Sequence, residues 1–158
     1  MIYVTTDADL RNERLNLQDI VKSVLSTFEN ENQTISFYQN ENASAYVFGD
    51  KSQIIRVLNN LITNAIQSIP TDRTKKISLG MRFSKNQVVI KISDNGSGIR
   101  PEDVDRLFED FFTTKKEGTG LGLPITRRVM HAHGGTVEAI PGRPRGATFE
   151  LLFPLPRI

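Results

Sequence analysis

The sequence contains no cysteine, which removes disulfides, thiolate metal ligands and cysteine nucleophiles together and fits a reducing compartment. Long apolar runs are also missing. No stretch approaches the ~20 residues a membrane span needs, and the opening MIYVTTDADLRNERL lacks the basic region and apolar core of a signal peptide. The chain is therefore expected to be soluble. Nor is there an excess of one charge, since twenty Lys and Arg are interspersed with eighteen Asp and Glu, for a net charge of +2. Nucleic-acid binders gather their cations on one face or in one run, so no nucleic-acid partner is expected and any bound anion should be small. The rest is an ordinary globular balance, 38% hydrophobic and 24% charged. At 158 residues the chain is long enough for one domain with a core and too short for two.

Residues 1–14 are polar with little periodicity and read as a tail or the stump of a connection to an upstream element. Leu17, Ile20, Val21, Val24, Leu25 and Phe28 then follow the spacing of one helical stripe, with Asn16 as N-cap. Two short β-prone runs, 34–38 and 45–48, are expected to pair across a polar turn. A second helix over 51–69 carries Ile54, Leu58, Leu61, Ile62, Ala65, Ile66 and Ile69 on one face and stops at Pro70. Runs 76–83 and 87–93 form a hairpin around Ser84-Lys85-Asn86. A long irregular stretch from Asp94 to Leu121, broken by a short helix opening at Pro101, marks a functional region. A third helix, 121–132, ends at Gly134-Gly135, and strands 136–140 and 147–152 finish the chain. This order predicts an α/β fold, a two-layer sandwich with three helices covering one face of a mixed, mostly antiparallel sheet.

Three segments carry candidate chemistry. Asn60 and Asn64, four residues apart on the second helix, share a face roughly opposite the apolar stripe. They form either a solvated polar surface or a pair of hard neutral oxygen donors for Mg²⁺, an ion that keeps several waters and binds substrate phosphates. Asp94 ends a buried strand just before Asn95-Gly96-Ser97-Gly98-Ile99. Asn-Gly favours a hairpin turn, yet Arg100-Pro101-Glu102 opens a helix instead of a return strand. A carboxylate fixed there could accept the exocyclic amino proton of a base such as adenine, with glycines admitting the ring to the backbone. Finally, Gly118-Thr119-Gly120-Leu121-Gly122-Leu123 feeds the third helix, whose free N–H groups and positive dipole end suit phosphate. Lys115 and Lys116 lie just upstream, either as part of that cradle or as solvated residues. Phe108, Phe111 and Phe112 are packing residues, suited to anchoring a mobile lid.

In this order, the segments resemble the histidine-kinase branch of the ATP-binding superfamily that includes gyrase, MutL and the heat-shock chaperone ATPases. Asn60 to Ala65 is similar to its asparagine box, Asp94 to Ile99 to its first glycine box, and Phe108 to Lys115 to its phenylalanine box. Gly118 to Leu123 is similar to the second glycine box and Gly146-Ala147-Thr148-Phe149 to the last. The likeness runs from about Leu15 to Pro154. Asp110 stands where the phenylalanine box often has proline.

The resemblance implies a Bergerat-type ATP-binding domain over 15–158, with an ATP lid at about 100–120 and residues 1–14 as a linker from an upstream dimerisation domain. It implies ATP and Mg²⁺ as ligands, Asn64 as the metal ligand, and Asn60 and Lys115 as catalytic residues at the phosphates. Asp94, Gly96, Gly98, Ile99 and Thr148 are the implied base-side contacts. Thr114, Lys115, Gly118, Thr119, Gly120, Leu121, Gly122 and Leu123 are those on the phosphate side. The implied activity is transfer of the γ-phosphate to a histidine on a separate dimerisation domain, with a response regulator receiver domain downstream. The location would be cytoplasmic, without direct membrane contact. An ATP-binding sensing or scaffold domain, or an anti-sigma-type serine kinase, is the alternative. ATPase members carry glutamate at position 60 as general base, whereas Asn60 cannot accept a proton at neutral pH, so hydrolysis should be poor. His131 and His133 close the third helix, ~15 Å from its N-terminus, where a helix dipole favours cations. Neither is expected to be a phosphoacceptor.

Overall fold

The computed structural model describes residues 11–40, 45–84, 86–110, 112, 122–142 and 145–156. In chain order these form β1 (Glu13–Asn16), α1 (Leu17–Ser26), β2 (Gln33–Gln39), β3 (Tyr46–Gly49), α2 (Lys51–Ser68), β4 (Lys75–Ser84) and β5 (Gln87–Asp94). A 3-10 helix (Pro101–Arg106), α3 (Gly122–Ala132), β6 (Thr136–Pro141) and β7 (Ala147–Pro154) follow. The main sheet has the order β2-β4-β5-β7-β6, and only its β2–β4 pairing is parallel. The expected mixed, mostly antiparallel sheet is observed.

Alternation decides which face of that sheet is buried. Ile77, Leu79 and Met81 of β4, Val88, Ile90 and Ile92 of β5, and Ala147, Phe149, Leu151 and Phe153 of β7 join one core with residues of all three helices. Ile54, Leu58, Leu61 and Ile62 of α2 are fully buried in it. At ~1.5–3 kcal/mol for each such side chain, those four contribute ~6–12 kcal/mol, comparable with the whole net stability of a domain. The middle helix is therefore a rigid strut, and whatever its polar side carries is held in place.

Two expectations fail. The runs at 34–38 and 45–48 do not pair with each other: β2 lies parallel to β4, and β3 is antiparallel to β1 in a separate two-stranded ribbon. The crossover from β2 to β4 contains α2, and a helix in the connection is what parallel pairing requires. The ribbon also takes Glu13 and Arg14 out of the supposed tail. Its inward contact is Leu15 against Val47, both buried, and one buried side chain on a four-residue strand leaves too little alternation to read. At its other end α1 stops at Ser26, where the Thr27 hydroxyl donates to the Val24 carbonyl at 2.6 Å, and Phe28 packs on the core from beyond the helix.

The N-terminus of α2 and the end of α3 meet at one junction. Asp50 caps α2, its Oδ1 accepting from the backbone N–H groups of Ser52 at 3.1 Å and Gln53 at 3.4 Å and from the Ser52 hydroxyl at 2.7 Å. The Asp50 N–H itself donates to His133 Nε2 at 3.0 Å, and His133 Nδ1 lies 2.8 Å from the Val129 carbonyl. A backbone N–H can only donate and a carbonyl can only accept, so His133 accepts at Nε2 and donates from Nδ1. Gly49 leaves room for that ring, since a Cβ there would come within 2.5 Å of His133 Cδ2.

Burial alone would raise the Asp50 pKa, but hydrogen bonds from the Ser52 hydroxyl and the Arg11, Gln53 and Ser52 N–H groups hold it below 3.8. A depressed folded-state pKa contributes stability that is complete above the unfolded value and lost as pH falls through the folded one. Asp50→Ala should therefore cost ~1 kcal/mol at pH 7, a cost that shrinks as pH drops below 3.8. Urea denaturation across that range measures it, and a pH-independent loss would show that the carboxylate charge is irrelevant to the cap.

Candidate functional site

Asp94 sits at the last position of β5, flanked by Ile77 of β4 and Ala147 of β7. Its Oδ1 accepts from the Gly96 N–H at 2.8 Å, an Asx turn that bends the chain sharply out of the sheet. The turn then docks on the C-terminus of α2. Both the N–H and the hydroxyl of Ser97 donate to the Ser68 carbonyl, at 3.1 and 3.2 Å. A Cβ on Gly96 would lie 2.5 Å from Ser68 Oγ and 2.7 Å from the Ser68 carbonyl oxygen, so only glycine permits this approach.

Gly146 makes the matching approach from β7. It has φ +81°, and a Cβ there would collide with the Asp94 carbonyl. Gly98, at φ +88°, sits against the Gly146 carbonyl. Three chain segments thus converge on the backbone around Asp94. Asn95 fastens the turn from the other side: its Oδ1 accepts from the Lys76 N–H at 2.9 Å, its Nδ2 donates to the Thr74 carbonyl at 2.8 Å, and its own carbonyl accepts from the Arg73 guanidinium at 3.0 Å.

Asn64 is one turn before Ser68 on α2 and Asn60 two turns before it, ~6 and ~12 Å along the axis. Both are half-buried on the helix flank. Strand alternation puts Asp94 on the same sheet face as Ile90 and Ile92, the face the helices cover. The carboxylate and the two amides therefore share one side of the sheet. Thr148 does not. Its cross-strand partner is Ser93, whose Oγ lies 3.0 Å from Thr148 Oγ1, and that parity faces away from the helices. Ala147 is Asp94's cross-strand neighbour.

Ile99 packs against the core, and Gly122 opens α3 with its carbonyl accepting from the buried Thr126 hydroxyl at 2.9 Å. Leu123 is half-buried in that first turn. Phe108 and Phe112 also pack on the core. The expected contacts Thr114, Lys115, Gly118, Thr119, Gly120 and Leu121, with Phe111 and Lys116, lie outside the described residues. Sequence reasoning missed Ser68, Ser97 and Arg73, which position the Asp94 turn. Only a Ser three residues after a strand-ending Asp hinted at any of them.

Among the described residues no cluster of His, Asp and Glu could hold a metal by itself. A metal that arrives with phosphates needs fewer anionic protein ligands, and half-buried neutral amides at Asn64 and Asn60 fit Mg²⁺ in that form. A cavity of about 290 Å³, lined by Val47, Gly49, His133 and Phe153 among others, lies at the far end of β7, ~20 Å from Ala147, and contains none of these residues.

A model of the histidine kinase-, DNA gyrase B- and HSP90-like ATPases matches residues 49–157, a span holding Asn60, Asn64, Asp94 and both glycine-rich segments. The chain belongs to that family. Sensor histidine kinase ZraS of Salmonella typhimurium is 29% identical over 98% of the chain, which covers 34% of that relative. Sporulation kinase A of Bacillus subtilis is 33% identical over 90% of the chain and 24% of its own length. The chain thus spans about a third or less of these kinases. The catalytic domain of histidine kinase ThkA superposes with a TM-score of 0.82 at 29% identity, covering 92% of this chain and 96% of that one. Within the ATPase family, the likeness is to histidine kinase catalytic domains.

Because a methyl group at position 146 has no room and φ there is positive, Gly146→Ala should destabilise by ~1–3 kcal/mol and disturb Asp94. Thermal unfolding together with nucleotide titration would reveal it. Parental behaviour in both would mean that β7 does not press on the Asp94 backbone.

Proposed function

We propose that this domain binds Mg-ATP between Asp94 and the N-terminus of α3 and passes the γ-phosphate to a histidine on a separate dimerisation domain. The observation that carries the reading is the union of strand end and helix: the Ser68–Ser97 and Gly96 contacts hold the Asp94 carboxylate and the Asn60–Asn64 flank on one side of the sheet. Asp94 accepts the adenine amino proton, and Gly96, Gly98 and Ile99 form the turn beneath the base. Thr148, next to Asp94's cross-strand neighbour on β7, is proposed to stand near the adenine.

Toward the phosphates, Gly118, Thr119, Gly120, Leu121, Gly122 and Leu123 offer backbone N–H groups at the positive end of α3, with Thr114 and Lys115 before them. Asn64 would hold Mg²⁺ with Asn60 beside it; the ion supplies charge neutralisation at the phosphates. The protein's task is then positioning, because phosphoryl transfer asks for alignment and electrostatic support more than covalent chemistry. With Asn60 in place of an acidic base, water is poorly activated and transfer is favoured over hydrolysis.

The acceptor is not in this domain. Both nitrogens of His133 are engaged, and His131 lies at the C-terminal end of α3, the length of that helix away from the glycine-rich loop. The segment ahead of β1, residues 1–12 of the expected 1–14 linker, is proposed as the link to an upstream dimerisation domain. ThkA has been solved in complex with the response regulator TrrA, and a receiver domain of that kind is the proposed downstream partner. A cytoplasmic location follows from such partners.

Incubated with labelled ATP, the domain alone should acquire no acid-labile phosphate, and a separately prepared dimerisation domain should acquire it. Label on His131 or His133 would overturn the assignment. Titration calorimetry divides the site further. Asp94→Asn should lower affinity ~10–100-fold with or without Mg²⁺, the range for a hydrogen bond to a charged group, whereas Asn64→Ala should do so only with Mg²⁺. Equal losses for Asn64→Ala in excess chelator would remove its metal role.

A further inference from the structure

Asn95 is fastened to the start of β4 by its own N–H, which donates to the Lys76 carbonyl at 3.2 Å, and by its side chain, which bridges the Lys76 N–H and the Thr74 carbonyl. The peptide group that follows, between Asn95 and Gly96, is bonded at both of its ends. Its N–H donates to Asp94 Oδ1 at 2.8 Å, and its carbonyl accepts from Arg73 Nη1 at 3.0 Å. Arg73, on the connection between α2 and β4, thus reaches the Asp94 carboxylate through a single peptide group. The guanidinium is steadied in turn by Asp72, whose Oδ1 lies 3.6 Å from Arg73 Nε.

We infer that Arg73 is a positioning residue for base recognition: it orients the Asn95–Gly96 peptide group and, through it, the carboxylate of Asp94. Gly96 creates the need. No side chain fits at that position, and a glycine accepts φ of either sign, so the peptide group before it is free to turn over, as the central peptide of a tight turn does between its two main forms. Gly96 does not take positive φ here. Turning the peptide over would swing its N–H away from Asp94 Oδ1 and its carbonyl away from Arg73 together. The guanidinium on the carbonyl holds the observed orientation, and by polarising the peptide it strengthens the N–H as a donor to the carboxylate. The Arg73 side chain is 28% exposed, so this contact is less screened than a surface pair. The inference rests on the reading that Asp94 accepts the adenine amino proton.

The test separates the amino group from the rest of the nucleotide. Calorimetry with ATP and with purine riboside 5′-triphosphate, which is ATP without its exocyclic amino group, is run in Mg²⁺ on the parent protein, R73M and R73K. The parent should prefer ATP ~10-fold or more, the range for a hydrogen bond to a charged group. R73M, which removes every guanidinium donor, should shrink that preference about fivefold by weakening ATP binding, with the analogue within twofold of its parental affinity. R73K, which keeps a cation of shorter reach, should recover part of the preference. A residue that only braced the fold would lose both ligands in step and lower the melting temperature. An ATP preference in R73M within twofold of parental, or equal losses for the two ligands, would overturn the inference while leaving the Asp94 reading standing. A parent protein with no preference between them would sink that reading and this inference with it.

Discussion

Ser68, Gly96 and Gly146 hold the site together through close backbone approach. The carbonyl at the end of α2 accepts two hydrogen bonds from Ser97, and neither glycine has space for a side chain. Everything assigned to the site is referred to this junction. The sheet supplies Asp94, α2 supplies the two asparagines, and β7 presses from behind. The rigidity comes from elsewhere: the buried apolar face of α2 anchors the helix, and the junction passes that fixity to a turn that has little hydrophobic area of its own.

The sequence exposed what periodicity can expose. Eighteen residues of α2 and the alternating strands β4 and β7 repeat often enough to reveal their buried faces, and the hairpin between β4 and β5 carried its own turn signal. The β1–β3 ribbon could not be seen that way, because its pairing depends on Leu15 meeting Val47 across thirty-two residues of chain. The parallel partner of β2 was hidden for a related reason: pairing is decided by where α2 returns the chain, not by composition.

The site was legible as residue types and less so as orientation. Asp94, Asn60 and Asn64 were marked by spacing, and the structure sets them on a common side. A strand turns its side chains over at every residue, and spacing alone does not say that Thr148 lies opposite Ser93 while Ala147 lies opposite Asp94. The residues that steady the Asp94 turn act through backbone carbonyls, and such contacts leave little imprint on side-chain pattern.

The junction at His133 has a practical consequence. The chain has two histidines; His131 is exposed, and His133 is held in one tautomer by a donor on α2 and an acceptor on α3. The nitrogen-15 resonances of the His133 ring therefore form a built-in spectroscopic gauge. They separate into an Nδ1 that donates and an Nε2 that accepts only while the start of α2 and the end of α3 stay in register, and that separation is lost with the packing.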